Sequence, residues 1–286
     1  MSEFAQALRR IYEDRLAFAG ALILLALVAC AILAPYLAPY PEDLKEVHPT
    51  KRLLAPGPAH LLGTDRLGGD IFSRLLFGAR ITIVVAVVAV GASIVVGVPT
   101  GLVAGYFRGW VSDLIMRIAD VFLAVPQIVL AIAIAQTLGP SLPNVILALS
   151  ATYWPWFTRI VYAETRSTMT ETFVEATRGL GSSPARLLFL HVLPNVASPI
   201  IVRASLGMGF TILTAASLGF LGLGAEPHSP EWGRTIAESR SYLPDAWWYA
   251  TAPGIAIFLV VMGFNLLGDG LRDILDPRIR KARASR

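Results

Sequence analysis

Apolar residues in this chain run on for about twenty positions at a time, and they neither alternate nor recur every third or fourth position. Six such stretches stand out, at roughly residues 16–37, 81–106, 115–138, 144–162, 197–223 and 247–267. A helix of about 20 apolar residues crosses the hydrocarbon of a bilayer. Lipid offers no partner to a free backbone N–H or C=O, so runs of this length are expected to be helical. The pattern predicts an all-α membrane protein with six transmembrane helices. The first run is longer than the core of a signal peptide and has Glu13 and Asp14 in its flank, which predicts a retained anchor.

Polar interruptions are as informative as the runs. Between the fourth and fifth runs lies Phe173-Val174-Glu175-Ala176-Thr177-Arg178-Gly179-Leu180-Gly181, with Leu193-Pro194 beyond it. A short helix over 170–177 is expected, broken by Gly179 and Gly181. Ser183-Pro184 then supplies an N-cap and a proline at the first position of the next helix, and Pro194 marks the return toward the membrane. A helix–glycine–helix insertion of this kind suits a rigid knob offered to a partner outside the bilayer. Ala176 and the glycines would permit close backbone approach, with Glu175 and Arg178 supplying charged contacts.

The connection at 38–80 is too long for a simple loop. Pro35, Pro39 and Pro41 punctuate its start, and Asp70 can cap a short helix with Ile71, Phe72, Leu75 and Leu76 on one face. Such a helix would lie along the interface or on the bundle. After the fifth run, Gly219, Gly222 and Gly224 form a glycine-rich exit, and Ser229-Pro230-Glu231-Trp232 restarts a short helix. That exit reads equally as part of a gate or as a plain helix end.

Composition agrees with the pattern: 55% of the 286 residues are hydrophobic and 15% charged, against about 25% charged in soluble domains. The net charge of +4 does not point to nucleic acid, because the basic residues sit at the ends of apolar runs with no aromatic interleaving. With a cytoplasmic N-terminus, fifteen Lys and Arg fall on the inner side and eight on the outer side, Arg203 being unassigned. Both termini are therefore expected in the cytoplasm. Cys30, the single cysteine, excludes a disulfide within the chain.

Within the runs, Gly97, Gly101 and Gly105 stand four apart in the second and predict close helix packing, with Pro99 a possible kink. Asp120, an acid in the third, is expected to pair with Arg117 one turn earlier near the cytoplasmic end. Asp269, Arg272 and Asp273 read in the same way at the end of the last run. Catalysis finds little support: His48, His60, His191 and His228 are scattered, and no nucleophile elbow or phosphate loop occurs. If ATP is used, another chain binds it.

Glu175-Ala176-Thr177, Gly181 and Leu193-Pro194 together resemble the EAA loop of ABC-importer permeases, whose helix docks in a groove of the ATPase. Within that superfamily the chain is similar to the dipeptide/oligopeptide/nickel permeases, to the subunit with the long first outer loop. The similarity is carried by Leu62 to Asp70 with Ser73 to Arg80, by Phe220 to Gly224, by Pro230 to Gly233, and by Phe264 to Asp269 with Leu271 to Asp273 and Asp276-Pro277-Arg278. Thr177 stands where a second alanine is usual, His191 where isoleucine is common, Gly69 where arginine is usual and Ala215 where an acid is expected.

The resemblance implies a type I importer permease: an anchor helix and outer loop over 1–80, a transmembrane core over 81–271 with a coupling loop at 163–196, and a cytoplasmic tail over 272–286. It implies a pore-forming subunit in a bacterial or archaeal cytoplasmic membrane, not itself an enzyme. Its partners would be a homologous second permease, two ABC ATPase subunits that bind ATP and Mg²⁺, and an extracytoplasmic binding protein. No cofactor is expected in this chain. Coupling would rest on Glu175, Ala176, Thr177, Arg178, Gly179 and Gly181. The outer gate or binding-protein contact would involve Gly219, Gly222, Gly224 and Trp232. Peptides are the expected cargo, with nickel chelates, opines or oligosaccharides as alternatives. A self-sufficient secondary transporter is the rival, but neither a coupling-ion site nor an internal repeat is evident.

Overall fold

The computed structural model describes Tyr12 and residues 14–44, 46–226 and 228–275. Arg9, Arg10, Glu13, Lys45, the Asp276-Pro277-Arg278 motif and the rest of the basic tail lie outside the described residues. Besides three short 3-10 turns, nine α-helices appear among the described residues. They are α1 (Arg15–Leu37), α2 (Ile71–Tyr106), α3 (Trp110–Ala124), α4 (Gln127–Leu138), α5 (Leu142–Thr168), α6 (Thr172–Gly179), α7 (Pro184–Phe220), α8 (Trp232–Ser239) and α9 (Trp247–Leu275).

Four of these, α1, α2, α7 and α9, are long and apolar enough to cross a membrane, and α3 with α4 forms a further pair bent by 88°. The expected third span is thus broken. Pro126 disfavours helical backbone at the residue before it, and Val125 is accordingly extended at φ −94°, ψ 133°. The expected fourth span, α5, has 27 residues, about 40 Å at the rise of an α-helix, but is too polar to count with the other four. Packing explains how it tolerates this. Thr158 shares a hydrogen bond of 2.9 Å with Thr100 of α2, and Ser93 of α2 donates to the Ser150 carbonyl.

Asp70 caps α2 as expected, accepting from the Ser73 amide at 2.8 Å. The helix it starts is not short, however. It continues for 36 residues into the membrane run: no proline separates the amphipathic turns from the apolar ones, and Gly78 between them stays helical with Trp232 packed on it. Pro194 likewise does not begin a helix: α7 is already under way from Pro184. Lacking an N–H, Pro194 cannot bond four residues back. The turn before it, Leu187–Val192, is wound as a π-helix, and the Leu193 amide reaches the Leu188 carbonyl.

The bundle is centred on α2 against α5. Gly97, Gly101 and Gly105 lie on the Trp154 and Thr158 carbonyls, Val161 and Thr165 of α5, where a β-carbon would intrude. This is the close backbone approach their spacing predicts. On the periphery, α1 turns Ala17, Gly20, Leu27, Ala31 and Ala34 inward and exposes Leu16, Leu22, Leu25 and Ile32. Gly20 lies on the α9 backbone at Gly263 and Leu267.

Candidate functional site

The insertion singled out from the sequence is a built element. Helix α6 buries one side chain, Val174, in a core shared with Leu187, Leu188 and Val192 of α7 and with Leu102 and Tyr106 of α2. Phe173, Glu175, Ala176, Arg178 and Gly179 are exposed, and Thr177 is half-buried with its hydroxyl donating to the Phe173 carbonyl. The Arg178 guanidinium lies over the Tyr106 ring, 5.1 Å from its centroid, a cation–π contact that ties the end of α6 to α2.

Gly181 ends the helix. Its φ of +80° is left-handed, its amide bonds to the Arg178 carbonyl, and the Ser182 amide reaches back to Thr177. This is a Schellman closure, in which glycine takes the left-handed position without a β-carbon penalty. Ser183 then caps α7, accepting from the Arg186 amide at 3.4 Å. Gly179 differs from Gly181: its backbone is helical, and a β-carbon there would meet nothing in this chain. Leu180 is 89% exposed, and Phe189 and Leu190 of α7 are exposed apolar residues too. The α6 end thus presents a rigid, partly apolar knob held by one buried side chain and two caps.

The residues proposed for a gate lie at the other end of the bundle. Gly222, at φ +80°, closes α7 in the same way as Gly181, with its amide on Gly219 and the Leu223 amide on Leu218. Gly219 and Gly224 serve differently, for both lie against the Glu231 carboxylate, which fills the space a Gly219 side chain would need. Glu231 caps α8, accepting from the Gly233 and Arg234 amides at 2.9 and 3.0 Å. Burial pushes its carboxyl up to about 7, against the lowering effect of those two amides and of the Arg234 charge. Trp232 is buried, donating to the Leu75 carbonyl over Gly78 of α2. Structure therefore brings Gly219, Gly224 and Trp232 together around Glu231, while Gly222 stands apart at the turn.

Sequence reasoning missed the polar core behind this cluster. Asp65 is buried, accepts from the Leu67 and Gly69 amides at 2.8 Å, and pairs with the buried Arg74 at 3.4 Å. Arg74 also donates to the Ser229 carbonyl. Glu238 of α8 receives Arg66, Arg234 and the Tyr249 hydroxyl. Burial pushes the Glu238 carboxyl up, but the hydrogen bond and charge of Arg66 outweigh it and hold it below its ordinary value. His60 and Asp70 are paired and buried, 3.0 Å apart. The signal was the Leu62–Asp70 stretch itself, whose glycines at 63 and 68 take left-handed φ values of +74° and +84°. These motifs weld α8 to the long loop and to the start of α2.

Two expected ion pairs are not formed. Asp120 pairs with Arg159 of α5 at 3.4 Å instead of with Arg117. Both members are half exposed, and tertiary proximity of α3 to α5 overrides the local i,i+3 spacing. Asp269, Arg272 and Asp273 are exposed at the end of α9 and make no ion pair among the described residues.

Comparison with known proteins places this geometry. Residues 97–281 match the family described as the binding-protein-dependent transport system inner membrane component, and residues 2–56 match the N-terminal TM domain of oligopeptide transport permease C. Relatives include a dipeptide transport system permease protein of Alkalihalophilus pseudofirmus, 43% identical over 98% of this chain and 91% of its own. A glutathione transport system permease protein of Pectobacterium atrosepticum is 44% identical over 95% and 90%. A probable D,D-dipeptide transport system permease protein of Escherichia coli is 41% identical over 91% and 86%. In fold, the chain is similar to a chain from inward-facing structures of the MetNI methionine ABC transporter (TM-score 0.59, 17% identity), covering 72% of this chain and 98% of that one. With a family match over most of its length, relatives above 40% identity over more than nine-tenths of it, and this helical bundle, the chain belongs to the family of inner-membrane permease components of binding-protein-dependent transport systems.

Proposed function

We propose that this chain is one pore-forming subunit of an ATP-driven peptide importer, worked from the cytoplasm through α6. The relatives reported above are named for transport of dipeptides, glutathione or, as a probable function, D,D-dipeptides, all peptides with a free carboxylate. The observation that carries the coupling role is the economy of α6, which spends Val174 and the Arg178–Tyr106 contact on its own chain and leaves Phe173, Glu175, Ala176 and Gly179 outward. No internal contact calls for glycine at 179, whereas a closely approaching partner backbone would.

In this account the α6 end is cytoplasmic, as the distribution of Lys and Arg favours, and α8 with the long loop faces outward. ATP and Mg²⁺ are bound by two partner ATPases, and a second, homologous permease completes the pore. Closure of the ATPase dimer pushes on α6. Val174 and the Arg178–Tyr106 contact pass that motion to α7 and α2, biasing the bundle between two discrete arrangements. The outer cluster of Gly219, Gly224, Glu231 and Trp232 holds α8 in one posture as the surface offered to a loaded binding protein. Gly222, whose turn has open space around it, is the freer point of that surface.

The test is the complex with its ATPases, second permease and binding protein in proteoliposomes, assayed with a radiolabelled dipeptide. The double variant Glu175→Arg, Gly181→Trp should insert normally yet lose uptake and binding-protein-stimulated ATP hydrolysis. Normal coupling in that variant would remove α6 from the mechanism. Uptake of a nickel chelate, an opine or an oligosaccharide in place of any peptide would change the cargo and leave the machinery.

A further inference from the structure

Arg203 is a charge in the middle of a membrane-spanning helix, with no counter-charge paired to it among the described residues. It lies ten residues beyond Leu193 and seventeen before Phe220 of α7, so about 15 Å and about 26 Å from those points at helical rise. Among the described residues it makes no hydrogen bond or ion pair, and its Nε is enclosed without a partner. What surrounds it is aromatic. The guanidinium carbon lies 4.5 Å from the Trp156 ring centroid and 5.3 Å from that of Tyr153, both on α5.

The box is built. Gly207, one turn further along α7, has no side chain where the Tyr153 ring lies, so the ring can cross α7 beside Arg203. Tyr153 is buried and held edge-on by Phe157 at 5.5 Å, while Trp156 is 40% exposed. One side of the box is therefore anchored in the core, and the other opens to the surface of the subunit.

Aromatic faces stabilise a guanidinium but do not satisfy its in-plane N–H donors. Ionisable side chains at membrane depth are costly and face a partner or an aqueous pathway. A guanidinium beside two rings, its Nε enclosed and its two terminal nitrogens without a protein partner among the described residues, is arranged to capture a carboxylate through those terminal nitrogens. The geometry points to Arg203, over the rings of Trp156 and Tyr153, as a carboxylate-binding station that a peptide's C-terminus meets while crossing the bundle. This rests on the peptide reading of the cargo, whose members share that carboxylate.

The test uses the complete reconstituted complex and two radiolabelled probes, a dipeptide and the same dipeptide as its C-terminal amide. The readout is the ratio of free-acid to amide uptake. Any preference of the binding protein itself enters every permease variant equally and cancels. Arg203→Gln should lower that ratio about tenfold. Arg203→Met, which keeps an unbranched apolar stem suited to lipid, should do the same and covers the case of poor folding by the first variant. A ratio unchanged in either assembled variant would overturn the station, as would equal losses of both probes. Loss of the second permease from both variant complexes would also overturn it, by showing that an acid of that subunit is the missing partner. Wild-type complex that takes up neither probe would instead sink the peptide reading beneath it.

Discussion

Arg80 of α2 donates to the carbonyl of Ala31 in α1 at 2.5 Å, the acceptor that Pro35 leaves without its helical N–H. A second bond from Arg80 reaches the Ile32 carbonyl at 3.2 Å. A proline inside a spanning helix frees the carbonyl four residues earlier, and in lipid that group needs another donor. Arg80 supplies it and ties the anchor helix to the core in doing so. Removing a partner from a buried acceptor costs about 1–3 kcal/mol. Arg80→Leu should accordingly lower the thermal stability of the purified permease, and Pro35→Ala in the same chain should restore most of the loss. Equal destabilisation with and without Pro35 would show that the carbonyl is not the group at stake.

Glu231 gives stability a pH dependence of known sign. Its folded-state carboxyl lies at about 7 against an ordinary 4.5, so the folded protein binds more protons than the unfolded one between those values. Stability carried by this group is therefore full below about pH 4.5 and falls as pH rises toward 7. Glu231→Gln should flatten that slope, with the largest gain relative to wild type above pH 7, roughly 3 kcal/mol at the most. Thermal unfolding of both proteins at pH 5 and pH 8 checks it. A wild type that becomes more stable over this window relative to the variant would contradict the burial argument.

Gly219→Val tests the same cluster sterically, since its β-carbon would meet the Glu231 carboxylate and displace the α8 cap. Overpacking of this kind costs about 1–3 kcal/mol. Pairing with Glu231→Ala should recover part of that loss, and absence of recovery in a double-mutant cycle would separate the two residues.

Asp120 and Arg159 are both half exposed, so their pairing is worth little, about 0.2–1 kcal/mol. A double-mutant cycle with Asp120→Asn and Arg159→Gln should return coupling of that size. The cycle with Arg117→Gln should return none. Coupling to Arg117 instead would favour the local pair that the spacing suggests.

Features set by neighbours in the chain were legible, and those set by packing were not. Apolar length marked α1, α7 and α9, and capping chemistry placed Asp70 and Ser183 correctly. Gly97, Gly101 and Gly105 announced the α2–α5 contact. The end of α2 nearest Asp70 misled because its first turns are amphipathic and the rest apolar, although Gly78 between them stays helical. Helix α5 read as one more span from its apolar length, and its Ser150, Thr152 and Thr158 hydroxyls, which make it more polar than the other four, are satisfied by carbonyls of the same helix. The buried Asp65–Arg74 and Glu238 clusters were invisible from the sequence. Charged residues in a connecting stretch read as solvated until distant elements, here α8 and α9, close over them. At α6 the caps and the breaking glycine were legible, but not the single buried anchor, Val174.

The most direct test of the central claim is a cross-link from α6 to its proposed partner. Leu180→Cys, in a chain with Cys30→Ser, places one thiol on the most exposed apolar residue of the knob. In membranes holding the assembled complex, a short bismaleimide should join that thiol to a cytoplasmic ATPase subunit, and the yield should change when ATP is bound. Labelling of residue 180 by an impermeant maleimide from the external face, with no adduct to any ATPase, would contradict the account.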